Sequence, residues 1–342
     1  MLDLFTPIAE AEKLHPIFSM LLQGQYKPER DVINSWAEGF NDRDGKFVYE
    51  FQTTFESSMW ELYLHAFLKE LDAQIDFSHH APDFVVDIIN KPLTIEATIA
   101  APPQGGEPAS VHKQKNAPED LTEFNQQSSI RVLNSLSSKI KKYRNSYNKL
   151  EHVKNKPYVI ALASFDRPFA HLAANRPILA VLFGLYYDEE TTIATGSEEL
   201  ITYPVDAVIK NENVKIPVGL FTTDEYKDVS AIIYSSLATW GKIRALADNP
   251  EAPTVYNTFH PPIDDSIYPE VRHTLKRDYT EQLADGLHIL HNPFAEHPID
   301  VKTFNHERIA QYFFEPEYGL KIIAPDDFLL LRQLFSITQK RT

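Results

Sequence analysis

Residues 82–100 read PDFVVDIINKPLTIEATIA. Two runs of β-branched and apolar residues, 83–89 and 93–100, flank Asn90-Lys91-Pro92. Val, Ile and Thr favour the pleated conformation, and a short polar break between two such runs predicts an antiparallel hairpin. Asp83 opens the first run and Glu96 lies thirteen residues further on in the second. A tight hairpin brings the two carboxylates together, and like charges at short range repel unless a cation neutralises them. Magnesium prefers oxygen ligands and keeps several waters, which suits a carboxylate pair with a phosphate. The backbone carbonyl of Ala97 offers one more oxygen. A metal so placed activates water and stabilises charge on a phosphoryl group.

The elements around the hairpin follow from periodicity. Residues 55–71 contain no Gly or Pro, and Met59, Leu62, Tyr63, Ala66 and Phe67 keep three-four spacing, which predicts a helix. Residues 73–78 read as a first strand. Residues 101–125 are rich in Pro and Gly and read as a long loop. Residues 126–150 predict a second helix with Leu133, Leu136, Ile140, Tyr143 and Tyr147 on one face. Residues 158–164, YVIALAS, form a continuous apolar run, the mark of a strand buried on both faces. Beyond them, 178–187 reads as a helix and 229–235 and 286–291 as strands, while 303–312 and 326–335 look helical. Spaced apolar residues in 1–40 suggest a short helix. The expected organisation is α/β: an N-terminal helical extension (1–45), a central core with insertions (46–246), and a C-terminal α/β extension packed on it (247–342).

The order helix, three strands, helix, strand, with Pro82-Asp83 on the second strand and Glu96-Ala97-Thr98 on the third, resembles the PD-(D/E)XK superfamily of metal-dependent nucleases, to which many restriction endonucleases belong. The resemblance covers residues 50–165. It implies a restriction-endonuclease-like core and a Mg2+- or Mn2+-dependent nuclease acting on DNA, with Asp83, Glu96 and the Ala97 carbonyl on the metal. It also implies a glutamate on the first helix that helps bind the metal. Glu61 falls at that place, with Glu56 as the fallback. Double-strand cutters of this kind are often dimers, so a homodimer is expected by the same likeness.

The chain departs from the motif at Thr98, which stands where a lysine belongs and supplies no positive charge. Some members recruit that charge from the following helix. Lys139 is the candidate, because at about 100° per residue it lies roughly 60° from Leu136, at the border of the apolar stripe. Lys142 lies further out, and Arg131 further from the stripe; both are candidate phosphate contacts, as are Lys242 and Arg244 later in the chain. If these cations are only solvated, the alternative is a catalytically inactive nuclease-fold protein that binds nucleic acid or a protein partner.

Bulk properties narrow the classes. The 342 residues are 43% hydrophobic and 24% charged, ordinary for a globular protein. No cysteine is present, so disulfides, thiol nucleophiles and cysteine-held zinc are excluded. The net charge of −15 argues against indiscriminate nucleic-acid binding, yet residues 126–156 hold eight basic residues against the single acid Glu151. No run is long enough to cross a bilayer, and the start MLDLFTPIAEAEKLH lacks the basic opening and apolar stretch of a signal peptide, so a cytoplasmic protein is expected. No His-Glu-x-x-His, phosphate-binding glycine loop or Gly-x-Ser-x-Gly elbow occurs.

Overall fold

The computed structural model describes residues 2–336 apart from 112, 114, 115, 212, 213, 265 and 316. The uninterrupted apolar segment after Thr54 forms helix α4 (Phe55–Glu70), preceded by α1 (Pro16–Leu21), α2 (Lys27–Ala37) and α3 (Phe47–Thr53). Helix α4 is apolar nearly all round and is buried accordingly. Its polar atoms are used inside the molecule. The Trp60 indole N–H donates to the Ala161 carbonyl at 3.1 Å, and the Tyr63 hydroxyl donates to the Leu283 carbonyl at 2.8 Å. Both aromatics thus bury area without leaving a donor unmet.

Strands β1 (Gln74–Ile75), β2 (Phe84–Ile88) and β3 (Lys91–Ala100) follow, then helix α5 (Leu121–Asn145), strand β4 (Tyr158–Ser164) and helix α6 (Arg176–Phe183). The expected hairpin forms. Ile89 and Asn90 at its tip both take positive φ (54° and 58°), the conformation of the tightest hairpin turn. Asn tolerates it readily; Ile89 does not, and its exposed side chain relieves only the packing, not the backbone. β2 and β3 are antiparallel, whereas β3 and β4 are parallel. The sheet continues through β5 (Ala231–Ser235), β6 (His288–His291), β7 (Ala310–Glu315) and β8 (Gly319–Ile323), eight strands lying side by side in chain order. Alternate residues face opposite layers. Ile95, Ala97, Val159 and Ala161 join the cluster around α4, while Ile160 and Leu162 join the cluster around α5 and α6.

Several expectations are corrected. The first strand is only two residues long, and α5 starts earlier, at Leu121, where the Asp120 carboxylate accepts from the Glu123 N–H. The 178–187 helix stops at Phe183 because Gly184 turns left-handed (φ 62°). The segments 303–312 and 326–335 are not helices. Residues 301–304 make one 3-10 turn; β7 then pairs with β6, and Leu331–Ser336 pairs with Thr254–His260 in a second, three-stranded sheet. The reason is tertiary. All four residues of β6 are buried, and β5 satisfies only one of its edges. A buried backbone edge must find partners, so 310–315 is drawn in as a strand whatever its local periodicity. The three expected segments also share structure: Leu4, Phe18 and Trp36 pack in the cluster around α4, and β6, β7 and β8 extend the main sheet. Among the described residues no helix is long and apolar enough to cross a membrane.

One ionic cluster locks the C-terminal strands to this core. Lys242 and Arg332 both contact the Glu281 carboxylate, and the Tyr279 hydroxyl donates to it at 2.5 Å. Lys242 also donates to the carbonyls of Gln282 (3.1 Å) and Asp285 (2.8 Å), and Arg332 to that of Leu237 (2.8 Å). All three charged side chains are buried. Glu281→Ala would leave two cations in the interior without a counter-charge, so a loss of about 3–5 kcal/mol of stability is expected. Urea denaturation of the variant measures it; Lys154→Ala, which breaks only the exposed pair with Glu151, should leave the midpoint unchanged.

Candidate metal-dependent active site

Phe84 and Ile95 are paired across the hairpin, so Asp83, one residue outside β2, lies opposite Glu96. Phe84 and Ile95 face α4; the alternation therefore turns Asp83 and Glu96 toward α5. The Asp83 carboxylate accepts the Ala97 N–H at 2.7 Å, which ties it to β3. Within a strand the N–H and C=O of one residue leave on the same side. The Ala97 carbonyl therefore also points past the end of β2 toward Asp83.

Glu96 is 1% exposed. Its Oε1 accepts from Lys139 Nζ at 2.7 Å and Lys142 Nζ at 3.1 Å, with the Tyr147 hydroxyl at 3.4 Å. Its Oε2 is buried and has no hydrogen-bond partner. Lys139 and Lys142 stand three residues apart on α5, hence on one helix face, and both reach the sheet. Lys142 also lies over the Tyr147 ring, 4.8 Å from its centre.

The acids crowd one another. Burial pushes Asp83 up to about 6, helped by the Glu96 carboxylate and opposed by Lys139. Burial likewise raises Glu61, on α4, to about 8, with the Asp83 and Glu50 carboxylates adding to the shift and Arg43 opposing it. Glu61 and Asp83 line one cleft of 190 Å³ together with Asp42, Arg43, Glu50 and His80. Clefts of 390 and 410 Å³ lie elsewhere, the first around Glu70, Asp72 and Asp87, the second around Phe165, Phe169 and Trp240. The smaller cleft is singled out not by size but by joining Glu61 and Asp83, whose carboxyls push on one another, with a cation, Arg43, beside them.

The donor set fits a magnesium-type cation held by two carboxylates. Asp83 and Glu96 repel, the buried Glu96 Oε2 has nothing to bond, and the Ala97 carbonyl faces the same space. Magnesium is commonly held by one or two carboxylates, its remaining positions going to water and substrate phosphate. Glu61 does not complete a third. Among the described residues no group of three or more His, Asp or Glu side chains is gathered closely enough to hold a metal ion.

The other expected residues fare unequally. Lys139 reaches Glu96 as expected, and Lys142, expected further out, does so too. The Arg131 guanidinium donates to the carbonyls of Ala101 (2.9 Å) and Pro102 (3.1 Å), fastening the loop after β3 to α5. Lys242 is corrected: fully buried on Glu281, it has no surface to offer a phosphate. Arg244 pairs with Glu29 and donates to the Thr254 hydroxyl at 2.9 Å. Glu56, the fallback for Glu61, faces His15 at 3.2 Å instead. Two residues near the carboxylates, Tyr147 and Arg43, were not singled out. Tyr147 carried a signal, its place on the apolar stripe of α5, but that stripe reads equally as core. No family model, curated protein or solved structure matches the chain.

The two raised acids set the pH dependence. In the folded state Asp83 and Glu61 hold their protons to about 6 and 8, above the ordinary values of 3.8 and 4.5. The native state then binds more protons than the unfolded state, so stability falls as pH rises from about 4 to about 8. Burial holds His65, His288, His291 and His306 low and favours higher pH below about 6.5, so the check is a comparison: between pH 5.5 and 8 the parent should lose more Tm, or gain less, than a Glu61→Gln protein, which lacks the raised acid. Millimolar Mn2+ should raise Tm at pH 8 by roughly 2–5 °C and have less effect at pH 5.5. Asp83→Asn should flatten the pH dependence and remove the Mn2+ response.

Proposed function

We propose that the protein is a Mg2+- or Mn2+-dependent phosphodiesterase that cuts nucleic acid, double-stranded DNA in the first instance, on a restriction-endonuclease-like core. The observation that carries this reading is the meeting of Asp83, Glu96 and Lys139: two neighbouring carboxylates, one with a buried bare oxygen, and an amine 2.7 Å away from a helix rather than from the strand. The order α4, β1, β2, β3, α5, β4 around them supports it.

In this reading Asp83 and Glu96 hold the cation, with the Ala97 carbonyl as a further oxygen and Glu61 across the cleft. A cation held there would supply polarisation of the phosphate and a water of lowered pKa. Lys139 supplies the positive charge that Thr98 cannot, placed to stabilise the phosphate and orient the attacking water. Lys142, half exposed beside it, meets the incoming backbone. Water adds to phosphorus and gives up a proton as the P–O bond to the leaving nucleotide breaks, and the leaving oxygen takes up a proton in exchange. A homodimer addressing both strands and a cytoplasmic location belong to the same proposal.

A second reading rests on the same contacts. Lys139 and Lys142 together offset the charge of Glu96 without any metal. That favours a catalytically inactive nuclease fold that binds nucleic acid or a protein partner. Purified protein with duplex DNA, RNA and Mg2+ or Mn2+ separates the two. Metal-dependent cutting supports the enzyme; salt-sensitive binding without cutting supports the binder. Asp83→Ala and Glu96→Ala should abolish cutting with the circular dichroism spectrum unchanged, and Lys139→Ala should slow it about 10²–10³-fold. An Asp83→Ala protein that linearises plasmid at the parent rate would end the nuclease assignment.

A further inference from the structure

Arg43 lies in the turn between α2 and α3, a segment whose sequence reads as a simple linker. Two side chains stiffen that turn. The Asp42 carboxylate accepts from the Phe47 N–H at 3.2 Å, and the Asp44 carboxylate from the Lys46 N–H at 3.1 Å. Gly45 takes φ 73°, and Phe47 is buried at the start of α3. Arg43 is thereby turned inward to the cleft that holds Glu61 and Asp83.

Its Nη1 donates to the His79 carbonyl at 2.5 Å and, at a longer 3.4 Å, to the Pro82 carbonyl. From the other side His152, beyond α5, meets the Ala81 carbonyl through Nε2 at 2.7 Å, and its ring stacks on that of His79 with centres 3.7 Å apart. Three carbonyls of the segment leading into β2 are therefore gripped from two sides, and the next residue is Asp83. Among the described residues the Asp83 carboxylate has one hydrogen bond, to the Ala97 N–H, and is pushed by Glu96. One bond does not hold a repelled carboxylate in place; its backbone must be held as well.

We infer that Arg43 is a positioning residue: by holding the His79 and Pro82 carbonyls it fixes the backbone that aims Asp83 at Glu96, which makes the N-terminal segment a working part of the site. The inference rests on reading the two carboxylates as a cation site. Both bonds leave from the one nitrogen Nη1, so an ammonium can take over part of the contact; lysine is a partial replacement because its flexible stem lacks the pre-organised, planar guanidinium.

The test uses full-length parent, Arg43→Gln and Arg43→Lys proteins, with Mn2+ alone titrated calorimetrically and cleavage of a DNA duplex followed with Mg2+. Loss of a residue that orients a metal ligand typically costs about 10–100-fold in metal affinity or activity. Arg43→Gln should weaken Mn2+ binding and lower kcat by factors in that range, with KM for DNA little changed. Arg43→Lys should recover only part of each. A purely structural role would lower the folded fraction but leave Mn2+ affinity and kcat per folded molecule at the parent values, and that result overturns the inference. A rise in KM alone also overturns it, making Arg43 a phosphate contact. If Arg43→Gln does not fold, Arg43→Lys decides by the same two readouts. If the parent binds Mn2+ but cuts neither DNA nor RNA, the nuclease reading fails, while weaker Mn2+ binding by Arg43→Gln still supports positioning. A parent that neither binds Mn2+ nor cuts removes both.

Discussion

The placing of half-buried Asp83 beside fully buried Glu96 is the constraint to which the neighbourhood answers. Two ionised carboxylates taken out of water at short range are costly twice, once by desolvation and once by repulsion. The fold offsets this with cations brought from different parts of the chain. Lys139 and Lys142 come down from α5 onto Glu96, and Arg43 stands in the cleft on the far side of Asp83. The offset is incomplete, since Glu96 Oε2 stays bare and both Asp83 and Glu61 keep their protons to unusually high pH. A packing optimum would have replaced such a cluster with apolar residues. Crowded acids with raised pKa values are a common pattern of functional sites, and that is the support this cluster lends to the proposed reading.

How far the sequence revealed this depended on the range of each signal. The β2–β3 hairpin was legible because its cues are local: two β-branched runs, a short polar break and a fixed alternation that puts positions 83 and 96 on one face; the break was read at 90–92, whereas the turn is Ile89-Asn90 and Lys91 already pairs with Ile88. The Lys139 contact was legible because helix geometry alone places it at the border of the buried stripe. The C-terminal strands were not legible. Residues 310–315 have no strand pattern strong enough to overrule a helical reading; they are strands because β6 presents an unpaired buried edge, which is information about residues far away in the chain. Lys242 failed for the same reason. Nothing near it in sequence announces Glu281 or Arg332, so a buried ion cluster read as an exposed cation. Arg43 reaches carbonyls 36 and 39 residues away, and its neighbours in sequence show only a turn.

The distribution of charge asks for similar care. Residues 126–156 look like a basic surface by count, yet much of that charge is already paired within the chain, partly in the interior and partly at the surface. Arg131 holds the loop after β3, Arg144 makes a paired contact with Asp228 at 2.7 and 2.8 Å, Lys154 pairs with Glu151, and Lys139 and Lys142 meet Glu96. What remains to face solvent is chiefly Lys141 and Lys149, with the exposed half of Lys142. A chain of net charge −15 with so small an uncommitted basic patch cannot hold a polyanion by long-range attraction alone. In the proposed nuclease reading, attraction is therefore strongest at the site itself, where a divalent cation held by Asp83 and Glu96 would reverse the local sign and let a phosphate approach. Metal binding and substrate binding would be coupled in that reading: without the cation the two acids repel a phosphate, and with it they fix the charge that attracts one.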